Sequence, residues 1–121
     1  MKNYLLILIF TLVSINIQSQ SCTEIMNYVK SKGYGTTYIS YNSEAISKVT
    51  FYSIRVDYKT LYFAIVCFKQ KYSYSCNEYI YQVGSNTRYN YSLDYYDSAG
   101  KAFWNNIEPY SDNLGCSPSF N

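Results

Sequence analysis

The chain contains no histidine. That absence excludes the Ser–His–Asp and Cys–His nucleophile systems. It also argues against a metal centre, because no cysteine pair has the C-x-x-C spacing either. Glycine is scarce, at five residues. The most glycine-rich stretch, GYGTT at Gly33 to Thr37, has too few glycines and no basic residue to cradle a phosphate. Charge is sparse as well: 15% of residues are charged and the formal net charge is +2. Removing Lys2 with an N-terminal leader leaves nine basic against eight acidic side chains. A balance of about +1 is not the electrostatic footprint of a nucleic-acid binder. Carboxylate pairs are the one ordinary acid–base route left. Asp94 and Asp97 are near each other, but both sit at expected helix boundaries, where carboxylates serve as caps. Arg88 and Lys101 are single charges with no partner motif. We therefore expect no enzymatic activity, no cofactor and no metal.

The apolar run Tyr4 to Val13 (YLLILIFTLV) is too short to cross a membrane, which needs about 20 residues. Lys2 precedes it, and Ser14, Asn16 and Gln18 restore polarity after it. This is the pattern of a cleavable signal peptide spanning residues 1–21, with cleavage after Ser19 or Ser21. The protein is expected to be secreted or periplasmic, with no transmembrane segment after cleavage and a possible association with the envelope. A lipid anchor on Cys22 is the rival reading; Ser21 suits a lipobox, whereas Ser19 stands where a Leu-like residue belongs. The mature chain keeps Cys22, Cys67, Cys76 and Cys116. An even number in so small an exported domain points to two disulfides. Of three connectivities, we favour Cys67 with Cys76, on neighbouring strands, and Cys22 with Cys116, joining the two ends. Tyrosine is the unusual abundance: 17 in the chain, a residue with a large apolar body and a polar tip that suits a half-wet sheet.

The length permits one domain. We expect an α+β domain over residues 22–110 and a loop-like tail over 111–121. A helix is predicted from Cys22 to Lys32: Ser21 and Glu24 have capping-box spacing. Cys22, Ile25, Met26 and Val29 form one stripe, and Gly33 can end it. Strands are predicted at Thr37–Tyr41, Lys48–Val56, Leu61–Phe68 and Glu78–Val83. In Lys48–Val56, Val49 and Phe51 have one parity while Ile54 and Val56 have the other, so a bulge near Tyr52–Ser53 is expected. Leu61–Phe68 is apolar on both faces and reads as a central strand. A short helix capped by Ser85 or Thr87 should reach about Leu93. A last helix, Ala99 to Ile107, capped by Asp97 or Ser98, should bury Ala99, Ala102, Phe103 and Ile107 and leave Trp104 at its boundary; Pro109 ends it.

Several of these residues occur in a familiar order. Ser43, Ile46, Val49 and Phe51 are followed by Thr60, Leu61 and Phe68. Tyr79, Tyr81 and Val83 come next, and then Ser98, Gly100, Phe103 and Ile107. This order resembles the KTSC domain, a small module named for its position after some lysyl-tRNA synthetases, over about Ser43 to Tyr110. The longer KQKYSYSC segment replaces the hairpin glycine between the second and third strands of that pattern. The signal peptide, the first helix and the cysteines lie outside it, as in an exported branch. The resemblance implies a small antiparallel sheet of three or four strands with helices packed on one side. It implies no activity, and RNA binding enters only by analogy with fused proteins. Tyr79 and Tyr81 share a strand face and, with Trp104, are the candidate contacts for a base, a sugar or a partner. The plainer reading is that the two tyrosines cover the helices. Three functions follow: an exported binding or interaction module, an RNA binder by analogy, or a structural envelope component. Intact mass of the secreted protein is expected to show a chain beginning at Gln20 or Cys22, without lipid, lighter than its reduced form by one hydrogen per cysteine.

Overall fold

The computed structural model describes residues 21–120. Apart from Ser21, the expected signal peptide lies outside that range. The chain is helical over residues 21–32 (α1), as its apolar stripe requires: Val29 is 1% exposed and Ile25 and Met26 pack beside it. The Gly33 amide donates to the Val29 carbonyl at the helix end. Four strands follow, β1 (Thr36–Ile39), β2 (Ile46–Val56), β3 (Lys59–Lys69) and β4 (Cys76–Val83). They form one antiparallel sheet in the order β1-β2-β3-β4, so each strand pairs with the one before it. The chain ends in α2 (Thr87–Asp94), α3 (Ala99–Asn106), a 3-10 turn (Glu108–Tyr110) and α4 (Ser111–Leu114).

The α+β class and the antiparallel sheet are as expected, but the helices do not lie on one side. Val49, Phe51, Ala64, Val66, Tyr81 and Val83 face a layer made by Tyr91 of α2 and by Ala99, Ala102 and Phe103 of α3. Ile54, Phe63, Ile65 and Ile80 face Val29 of α1 and Cys116 of the tail. Burial on both faces also removes the reason for a bulge at Tyr52–Ser53. Both parities of β2 are apolar because both are covered, and the ladder from Lys48 to Val56 is regular against β3. The one irregularity in that pairing lies between Ile46 and Lys48.

Local chemistry sets the remaining boundaries. β2 and β3 join through Asp57 and Tyr58, both at positive φ (49° and 67°). This is the two-residue hairpin geometry that matches strand twist, and it closes the ladder at Lys59 rather than after Thr60. Neither Ser85 nor Thr87 caps α2. Asn86 holds the cap position without a side-chain bond, and Thr87 is buried and accepts from the Gly84 amide at 3.0 Å. Ser98 does cap α3, its hydroxyl accepting from the Lys101 amide at 3.2 Å. The tail is not loop throughout. Ser111–Leu114 is helical, ended by Gly115 in the left-handed conformation (φ 66°), where glycine carries no steric cost. Asn113 donates to the Gln82 carbonyl at 2.9 Å, which ties this turn to β4.

Both disulfides have the favoured pairing: Cys22–Cys116 with Cα atoms 5.7 Å apart and Cys67–Cys76 at 5.3 Å. Cys67 has the parity of Phe63 and Ile65, so both bridges strengthen the α1 face. In the chain-entropy description, stabilisation grows with the loop closed. The bridges span sequence separations of 94 and 9. Replacing Cys22 and Cys116 with alanine is expected to cost about 4–5 kcal/mol, against about 2–3 kcal/mol for the Cys67–Cys76 pair; paired denaturant titrations measure both.

Candidate functional site

The three candidate contact residues have different fates. Tyr81, on β4, is 1% exposed and lies edge-on to Phe103 with ring centroids 5.7 Å apart. A ring so placed belongs to the core and offers no face to a ligand. Tyr79, two residues earlier on the same strand face, is half-buried and edge-on to Phe68 at 5.8 Å. Trp104 is 49% exposed on the outer side of α3. It rests edge-on against Phe103 at 5.5 Å and is tilted against Phe120 at 5.1 Å.

These side chains meet through Phe68 and Phe103, both in the KTSC-like order, and through Phe120, which sequence reasoning did not single out. Phe68, at the end of β3, contacts Tyr79, Phe103 (5.2 Å) and Phe120 (5.6 Å). Tyr79 and Trp104 thus belong to one aromatic cluster whose inner members are Phe68 and Phe103. Its outer surface is Trp104 with Phe120, itself 46% exposed. Edge-to-face pairs contribute about 0.5–1.5 kcal/mol beyond area burial, which biases the Trp104 ring toward this position. The signal for Phe120 lay in the favoured Cys22–Cys116 bridge: fixing Cys116 also limits where Phe120, four residues on, can reach.

A second aromatic group lies across the sheet end, where Tyr38 of β1 meets Tyr91 (6.0 Å) and Tyr95 (5.2 Å). Tyr91 is fully buried. Burial raises its phenol to about 12, opposed in part by the adjacent Ser40 hydroxyl. The two hydroxyls face each other, yet neither makes a hydrogen bond of good geometry within the protein. Tyr81 is pushed up by burial first, then by the Glu108 carboxylate and Tyr79.

The charged residues considered above make structural contacts. Asp94 ends α2 and accepts from the Asn106 amide at 2.9 Å, while Ser98, not Asp97, caps α3. Arg88 reaches the Thr36 hydroxyl at 3.4 Å. Among the described residues, no three His, Cys, Asp or Glu side chains stand close enough to hold a metal ion. No described helix is long and apolar enough to cross a membrane.

The fold is that of a small disulfide-bridged α+β domain with an aromatic surface on its last long helix. No family model, curated protein or solved structure matches the chain. Most of the apolar residues in the KTSC-like order share a structural role. Ile46, Val49, Phe51, Tyr81, Val83, Phe103 and Ile107 all lie in the core layer between the sheet and α2–α3, with Phe68 and Tyr79 against it.

The two buried phenols predict a pH dependence. Their folded pKa values lie above the unfolded value of about 10, so below pH 10 both states are protonated and the full stability is present. Above it the unfolded chain loses protons first, and stability falls until the folded phenols ionise, for Tyr91 at about 12. The expected slope is about 1.4 kcal/mol per pH unit for each buried phenol. Denaturant titrations between pH 9 and 12 should show it, and Tyr91→Phe should remove one share.

Proposed function

We propose that this chain is an exported, non-enzymatic binding module of KTSC-like type that makes contact through aromatic side chains on and beside α3. The observation that carries the reading is the Trp104–Phe120 pair. The chain's single tryptophan is about half exposed and packs against two aromatic rings, one of them from the bridged tail. A large ring fixed at the surface offers contact area at little further entropic cost. Disulfides are compatible with an oxidising compartment, which supports export.

RNA binding by analogy with the family has less support. Base stacking needs an exposed ring, and Tyr81 has none to offer. The ionised group acting on its hydroxyl is the Glu108 carboxylate rather than a cation. With the near-neutral charge, attraction to phosphate is weak. A purely structural role in the envelope is not favoured by any particular contact.

Trp104 emission reports on its own surface. Titrating the mature protein with soluble glycans and, separately, with oligonucleotides is expected to give a saturable change with a glycan and none with oligonucleotides. Phe120→Ala should weaken the response. Silence with both classes would remove direct ligand binding at this surface.

A further inference from the structure

Beside the N-terminus of α3 lies a cleft of about 650 Å³, within the size range of small-ligand sites. One wall is the β1–β2 loop, residues 39–45, and the other is the α2–α3 connection, residues 95–100. The loop is held in place rather than loose. Ser43 accepts from the Ile46 amide at 3.0 Å, the Lys69 ammonium donates to the Ser43 carbonyl, and the Lys69 amide donates to the Ala45 carbonyl at 2.8 Å. On the opposite wall Ser98 is fixed by its cap bond.

The lining has a specific chemistry. Each wall carries a largely exposed tyrosine, Tyr41 at 84% and Tyr96 at 82%. Neither ring is needed by the core. Between them are the Asn42 amide, the Glu44 and Asp97 carboxylates and the Ser98 hydroxyl. Among the described residues no lysine or arginine lines the cleft, so two carboxylates would repel a phosphate or any other anion. The wealth of polar groups disfavours a purely apolar ligand. Flat rings beside carboxylates and amides suit a molecule with apolar C–H faces and many hydroxyls: a carboxylate accepts from hydroxyls, an amide both donates and accepts, and a tyrosine ring packs on the C–H face.

The cleft also continues along the helix. Gly100 lines it, and Trp104 follows at i+4, on the same side of α3 and about 6 Å further along the axis. That step is about the length of one sugar unit. We infer that the cleft between Tyr41 and Tyr96 is a binding site for a neutral oligosaccharide, whose chain extends along α3 to Trp104. This rests on the binding-module reading and names its ligand class.

The test is an amide NMR titration of the mature protein with cellohexaose, chitohexaose and maltohexaose in turn, with choline as a cationic probe. At least one hexasaccharide is expected to shift residues 39–45 and 95–100 saturably, with a weaker extension to Trp104. Tyr96→Ala and Asp97→Asn should each weaken that binding about tenfold; both side chains are exposed, and an otherwise unchanged spectrum establishes that the fold is intact. Shifts confined to Trp104 and Phe120 would leave the binding-module reading standing and overturn the cleft assignment. Choline shifting the cleft where the sugars do not would overturn it in favour of a cation site lined by tyrosine and carboxylate. Silence of residues 39–45 and 95–100 with all four probes would also overturn it.

Discussion

Burial of β3 on both faces is the constraint from which the rest of the architecture follows. Phe63 to Cys67 is a continuous buried run, and a strand with two apolar faces needs a covering layer on each. One layer is supplied by α2 and α3, which bring Tyr91, Ala102 and Phe103 against Ala64 and Val66. The other is supplied by α1 and the tail, from opposite ends of the described chain. Their joining by Cys22–Cys116 closes the layer that a single helix would cover only in part. The exposed Lys30–Glu78 ion pair between α1 and β4, at 2.7 Å, adds little by comparison, because surface pairs contribute about 0–1 kcal/mol.

The same bridge links packing to the candidate site. By fixing Cys116 it carries Phe120 to Trp104 and Phe68, so a covalent link on the α1 face helps to shape a surface on the opposite face. The tyrosines divide along similar lines. Tyr81 and Tyr91 are consumed by the core, where their hydroxyls find no protein partner of good geometry. Tyr41, Tyr72, Tyr74 and Tyr96 project from loops and stand almost wholly in solvent. Tyrosine and serine in loops give rigid contact area beside adaptable hydrogen bonds, and the SYNSEA and KYSYS loops have that composition.

Much of the fold was legible before the structure. The α1 stripe, the central strand and the buried face of α3 follow from spacing and residue type, while the disulfide pairing was one favoured choice among three connectivities. The errors share one cause. A sheet covered on one side was assumed, so the opposite parities within β2 seemed to need a bulge. Periodicity shows which residues are apolar but not how many layers will cover them. The cap of α2 was misplaced for a similar reason: Thr87 serves the Gly84 amide from a buried position, a tertiary demand that outweighs its local capping tendency.

By itself, the amino-acid order determined most of the elements and the absence of histidine-based chemistry, because these depend on short-range spacing and composition. Only the tertiary structure decided which tyrosines remain available for contact. Tyr79 and Tyr81 are equivalent in sequence and differ in burial: one rests edge-on to Phe68 and the other lies buried against Phe103. It alone brought Tyr41 and Tyr96 to facing walls of one cleft, 55 positions apart in the numbering. Packing distributes exposure among chemically identical side chains, and no local signal anticipates that distribution.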